Sequence, residues 1–114
     1  MKNNIKTYKI GVIGLGYVGL PLSLKFAEKN QVIGFDLSKK RILELKKGFD
    51  TNREIKSNQI FKKKILFSDN PKNLKNCNIF IITVPTPVNS QNEPDLKLLK
   101  SACHIVGKFL KKNS

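Results

Sequence analysis

Cysteine is scarce in this 114-residue chain, and the two present, Cys77 and Cys103, fall in neither a CxxC pattern nor a metal-ligand spacing. That excludes a thiolate metal site and a disulfide scaffold, and both are read as free, buried thiols of a reducing compartment. No apolar run approaches the ~20 residues that a membrane-spanning helix needs. The opening "MKNNIKTYKI" has no long apolar core after its charged start, so it does not read as a signal peptide. These absences lead to the expectation of a soluble, cytoplasmic protein without a membrane partner. Acidic residues are also few: 8 Asp+Glu stand against 22 Lys+Arg, a formal net charge of +14. A basic excess of that size is one mark of a nucleic-acid binder. Here the lysines are scattered among asparagines, as in "KKGFDTNREIKSNQIFKKK", with no aromatic interleaving to stack bases. The charge therefore fits solvated faces and affinity for small anions better than it fits nucleic acid.

The apolar content of 39% is enough for a core in one small domain, and no internal repeat is visible. The segments alternate. "YKIGVI" reads as a short buried strand, and a helix is expected to start near Gly16 or Tyr17, with Val18, Leu22, Phe26 and Ala27 on its apolar stripe. Pro21 falls in its first turn, where backbone N–H groups lack intrahelical partners. "QVIGFD" is a second strand ending at Asp36. "LSKKRILELKKG" is a helix with Ser38 as N-cap and Gly48 as its stop. A short helix is expected around Glu54 to Phe61 in the polar stretch that follows. "ILFS" is a weak third strand, "NPKNLKNC" a one- or two-turn connection, and "NIFIITV", Asn78 to Val84, a strand expected to be covered on both faces. After a proline-bounded loop, Asp95 to Lys112 forms a last helix with Leu96, Leu99, Cys103, Val106 and Leu110 on one stripe. His104 belongs to its surface rather than to a catalytic base. Alternation of this kind predicts an α/β fold: a parallel sheet of about four strands, order 3-2-1-4, with helices on both faces.

Three glycines inside the first apolar run call for a reason, since each costs roughly 0.5–1 kcal/mol relative to alanine inside regular structure. Gly14-Leu15-Gly16-Tyr17-Val18-Gly19 is G-x-G-x-x-G, directly after a strand and opening a helix. In that context Gly14 permits a tight turn, Gly16 lets a pyrophosphate approach the backbone, and Gly19 lets the helix pack on the strand. Asp36, 22 positions after Gly14, ends the next strand, where a carboxylate hydrogen-bonds adenosine ribose hydroxyls. Its charge favours NAD over NADP, although Lys39, Lys40 and Arg41 form a basic cluster that could receive a 2′-phosphate. Asp36 could also cap the next helix.

The segment "KIGVIGLGYVGLPLSLKFAEKNQVIGFDLSKKRILELKKG", with "NIFIITVPTPV", resembles the N-terminal region of the UDP-glucose/GDP-mannose dehydrogenase family. "GLGYVGLPL" and "VPTP" are most similar to its UDP-N-acetylhexosamine branch. The resemblance implies a Rossmann-type, partial NAD-binding domain over residues 1–114, with NAD as cofactor. It places Gly14, Gly16, Tyr17, Val18 and Gly19 at the pyrophosphate, Asp36 at the ribose, Arg41 beside adenine and ribose, and Thr86 at the cofactor. Pro85 and Pro87 favour extended geometry at Val84 and Thr86, which puts Thr86 at the sheet's carboxyl edge. The family's reaction is oxidation of a sugar C6 hydroxyl to a uronate for bacterial polysaccharides. The resemblance implies a longer chain, with the catalytic cysteine and the sugar site downstream of the region matched. No catalytic residue is therefore assigned, and the chain alone is expected to be inactive, with UDP-sugar a partner only when those regions are supplied. The competing reading is a stand-alone, non-enzymatic NAD- or nucleotide-binding module. Self-association through an uncovered edge of the fourth strand is also expected.

Overall fold

The computed structural model describes residues 8–50, 64–112 and 114. Strand β1 (Lys9–Ile13) leads through the glycine turn to helix α1 (Gly19–Phe26), strand β2 (Gln31–Phe35) and helix α2 (Lys39–Lys46). Strand β3 (Ile65–Ser68), a 3₁₀ turn (Pro71–Leu74), strand β4 (Ile79–Ile82) and helix α3 (Lys97–Phe109) follow. The expected helix around Glu54 to Phe61 lies outside the described residues. All three strand pairs are parallel and the order is β3-β2-β1-β4, as the alternation predicts.

Side chains alternate across the sheet and build two cores. Ile10, Val12 and Val32 face α1 and α2, packing with Leu20, Leu24, Ile42 and Leu45. Ile13, Ile33 and Phe35 face the other way, onto Leu74, Cys77 and the α3 residues Ala102, Ile105 and Val106. This period-two division is what a strand buried on both sides requires.

Three expectations are corrected. The buried face of α1 is Gly19, Leu20, Ser23 and Leu24, followed by Ala27 just past its end, while Val18 is exposed. The helix is turned so that its small residues, four apart, meet the sheet, and the Ser23 hydroxyl returns its own hydrogen bond to the Gly19 carbonyl at 2.6 Å. The regular helix begins at Gly19, although the Leu20 amide already bonds the Gly16 carbonyl at 3.2 Å. On α3 the buried residues are Ala102, Ile105 and Val106: Val106 is buried as expected and Leu99 half-buried, but Ala102 and Ile105 take the contact in place of Leu96, Cys103 and Leu110, which are exposed. Cys103 is consequently exposed, not buried, whereas Cys77 is 2% exposed. Finally, β4 is half-buried along its whole length instead of fully covered, because among the described residues its only strand neighbour is β1.

Candidate functional site: a cleft at the carboxyl edge of the sheet

The turn after β1 is held from both sides. The Gly14 amide donates to the Phe35 carbonyl of β2 at 2.8 Å, and the Thr83 hydroxyl donates to the Gly14 carbonyl at 2.7 Å. Gly14 has φ +102°, and a Cβ there would lie 2.9 Å from the Thr83 carbonyl and the Val84 nitrogen. Conformation and space both demand glycine. At Gly19 a Cβ would overlap the Gly14 carbonyl and approach the Thr83 hydroxyl to 2.5 Å, so this glycine sets the closeness of helix and turn. Gly16 is different: a Cβ there would meet nothing within 4 Å. Its lack of a side chain serves no packing within the described residues and leaves the turn's outer surface open.

Asp36 sits across from this turn. One carboxylate oxygen accepts from the Leu15 amide at 2.9 Å, and the other from the Ser38 amide at 2.9 Å. Ser38, not Asp36, caps α2, its hydroxyl accepting from the Arg41 amide at 3.2 Å. A carboxylate offers about four lone-pair sites, so two remain after these bonds for hydroxyl donors. Arg41 reaches back along the same side. Its Nε donates to the Leu15 carbonyl at 2.8 Å and its Nη1 to the Asp50 carboxylate at 3.0 Å.

These groups surround a cleft of about 380 Å³ at the carboxyl ends of β1, β2 and β4. Gly14, Leu15, Gly16, Asp36, Ser38 and Arg41 form its polar side, and Val84, Pro85, Leu98, Ala102 and Ile105 its apolar side. The strand order reverses between β1 and β4, and open α/β sheets bind ligands in such a crevice. Of the residues singled out in the sequence, Gly14, Gly16, Asp36 and Arg41 come together here. Tyr17 and Val18 lie on the loop, 70% and 63% exposed and outside the cleft lining, and Gly19 is buried beneath the turn. Thr86 is exposed, one residue beyond the lining Pro85. Sequence reasoning missed Thr83 and Asp50. Thr83 interrupts the apolar run "NIFIITV", and that interruption was the available signal. Asp50 is fixed by a tertiary contact with no local pattern.

An open glycine, a carboxylate with acceptor capacity left and a predominantly apolar cleft fit a dinucleotide: the open turn suits a pyrophosphate, the carboxylate a ribose and the apolar wall a planar base. The fold and site thus define a dinucleotide-binding domain of the Rossmann type. Residues 8–114 match the family model described as "UDP-glucose/GDP-mannose dehydrogenase family, NAD binding domain". The chain is 49% identical over 107 residues to the UDP-N-acetyl-D-glucosamine 6-dehydrogenase of Salmonella typhi, covering 93% of this chain and 25% of that protein. It is 43% identical over 109 residues to the enzyme of the same name from Pseudomonas aeruginosa, covering 95% of this chain and 26% of that one. A solved structure of the UDP-D-ManNAc dehydrogenase of Pyrococcus horikoshii superposes with a TM-score of 0.86 at 30% identity, over 93% of this chain and 27% of that one. The chain belongs to the UDP-glucose/GDP-mannose dehydrogenase family, in its NAD-binding domain, and NAD is its cofactor. These relatives agree with the UDP-N-acetylhexosamine branch. The chain spans about a quarter of the length of the curated relatives it matches.

Proposed function

We propose that this chain supplies the cofactor-binding part of a nucleotide-sugar 6-dehydrogenase, one that oxidises the C6 hydroxyl of a UDP-N-acetylhexosamine to a uronate for bacterial polysaccharide synthesis. The observation that carries the reading is the meeting of the open Gly16 turn and the Asp36 carboxylate in one cleft at the sheet's carboxyl edge. Asp36 would hold the ribose hydroxyls, with Arg41 beside it. Gly14, Gly16, Tyr17, Val18 and Gly19 would line the pyrophosphate, with Gly19 also keeping the helix close to the turn. Thr86 would stand at the cofactor's far end. Bound NAD would supply the hydride acceptor. Neither described thiol lines the cleft, which supports a binding role without turnover for this chain alone. Among the described residues no helix is long and apolar enough to cross a membrane, which supports a cytoplasmic location.

Calorimetry with NAD⁺ tests the reading. The wild-type chain should bind NAD⁺, and Asp36→Ala should weaken that binding by at least about tenfold, the loss of roughly one good charge-assisted contact. Unchanged affinity in a folded Asp36→Ala variant would remove the carboxylate from the site. An absorbance assay for NADH with UDP-N-acetylglucosamine or UDP-N-acetylmannosamine should show no turnover by the chain alone. Measurable turnover would place a catalytic group among its own residues.

A further inference from the structure

Three cations stand next to Asp36 in sequence: Lys39, Lys40 and Arg41. Lys39 and Lys40 are exposed on the first turn of α2, while Arg41 lines the cleft together with Asp36 and Ser38. A free guanidinium in that place would be a natural receiver for a 2′-phosphate, because its fork matches phosphate oxygens in pairs. Arg41 is not free. Its side chain is 12% exposed, Nε is committed to the Leu15 carbonyl, and Nη1 to Asp50 at 3.0 Å with Glu44 at 3.8 Å. Its Nη2 is buried and has no hydrogen-bond partner among the described residues.

Asp50 reaches Arg41 because α2 ends in a left-handed turn. Gly48 adopts φ +76°, its amide bonding the Leu45 carbonyl and that of Phe49 the Glu44 carbonyl, both at 2.9 Å. The chain doubles back and buries the Asp50 side chain to 1% exposure against the guanidinium. Asp50 and Glu44 thus offset the charge of the one cation that lines the cleft, Arg41, while Lys39 and Lys40 lie outside the lining. A guanidinium held in this way is a poor receiver for a phosphate on the ribose.

We propose that Asp50 is a positioning residue: by holding Arg41 and offsetting its charge, it makes the cleft prefer a dinucleotide with a free 2′-hydroxyl over one carrying a 2′-phosphate. The proposal rests on the reading of the cleft as the NAD site. Without Asp50, Nη1 loses its carboxylate partner and becomes a charge-assisted donor for a phosphate. A carboxylate that merely stabilised the turn would weaken both cofactors alike and leave their ratio unchanged.

The test is the ratio of NADP⁺ to NAD⁺ affinity, measured by calorimetry on the wild-type chain, Asp50→Asn, Asp50→Ala, and Asp50→Ala combined with Arg41→Ala. Asp50→Asn keeps an acceptor but loses the charge, and should raise the ratio by about threefold; Asp50→Ala should raise it by about tenfold, the scale of one charge-assisted phosphate contact. Adding Arg41→Ala should cancel the gain. Thermal melts identify a variant that fails to fold, and in that event Asp50→Asn decides. NAD⁺ binding by the wild type with an unchanged ratio in the folded Asp50 variants would overturn this proposal alone. A wild-type chain that binds no NAD⁺ would overturn the reading of the cleft and this proposal with it.

Discussion

At the scale of single residues, the three glycines of the turn have three separable duties, and substitution distinguishes them. Gly16→Val adds a side chain into open space, so the fold should survive with an unchanged melting temperature while NAD⁺ binding disappears. Calorimetry beside a thermal melt reads both, and retained affinity would mean that the cofactor does not approach this backbone. Gly19→Ala acts on the fold itself. Its methyl would collide with the Gly14 carbonyl, which Thr83 already holds at 2.7 Å. Overpacking at such a contact costs about 1–3 kcal/mol, and backbone on the other side gives way less readily than a side chain. The melting temperature should therefore fall, with NAD⁺ affinity falling alongside it. These duties were legible in the sequence because G-x-G-x-x-G between a strand and a helix fixes where each glycine sits. Arg41 and Asp50 were not legible as a pair. Their contact depends on the left-handed turn at Gly48 bringing two charged side chains together, and a run of charges carries no mark of which one is buried.

At the scale of elements, the type and order of the described segments followed from periodicity, whereas the rotation of each helix about its axis did not. Hydrophobicity alone put Val18, Leu22 and Phe26 toward the core, but close approach to the Gly14 turn selects Gly19 and Ser23 instead. On α3 the small Ala102, which carries little hydrophobic signal, sits at the contact and turns Cys103 outward. Thiol chemistry checks this directly. In the native state one thiol, Cys103, should react rapidly with a disulfide reagent, and Cys77 only as the protein unfolds. A Cys103→Ser variant should lose the fast phase, and two fast phases in the wild type would contradict the placement of Cys77. Burial also pushes the Cys77 thiol above its usual pKa, with Lys9 pulling weakly in the opposite direction. The unfolded chain therefore releases this proton at a lower pH than the native state does. The corresponding stability is complete below the ordinary thiol value of about 8.5 and is lost as pH rises from there through the raised native value. Melting temperatures between pH 8 and pH 10 should fall more steeply for wild type than for Cys77→Ala.

At the scale of the whole molecule, a net charge of +14 opposes association, while the outer edge of β4 favours it. Ile79, Phe80, Ile81 and Ile82 are half-buried, and among the described residues the strand pairs on one side alone. Unpaired N–H and C=O groups along such a strand invite another strand. We expect light scattering to detect association of the chain that strengthens with salt, as charge repulsion is screened over about 10 Å at 0.1 M ionic strength. Ile81→Lys should reduce it at some cost in stability; a monomer at every salt concentration would show that the edge is protected. The strand order also has a bearing on how the protein is made. β1 is synthesised before the other described strands, yet it lies between two of them in the sheet, and the Lys9 amide donates to the Asn78 side-chain oxygen, 69 residues further on. At about 5–20 residues per second of synthesis, one side of β1 waits some 3–14 s for its partner to be made. Its apolar side chains are exposed to competing contacts for that interval, so slower translation between codons 14 and 78 should lengthen the vulnerable period and lower the folded yield.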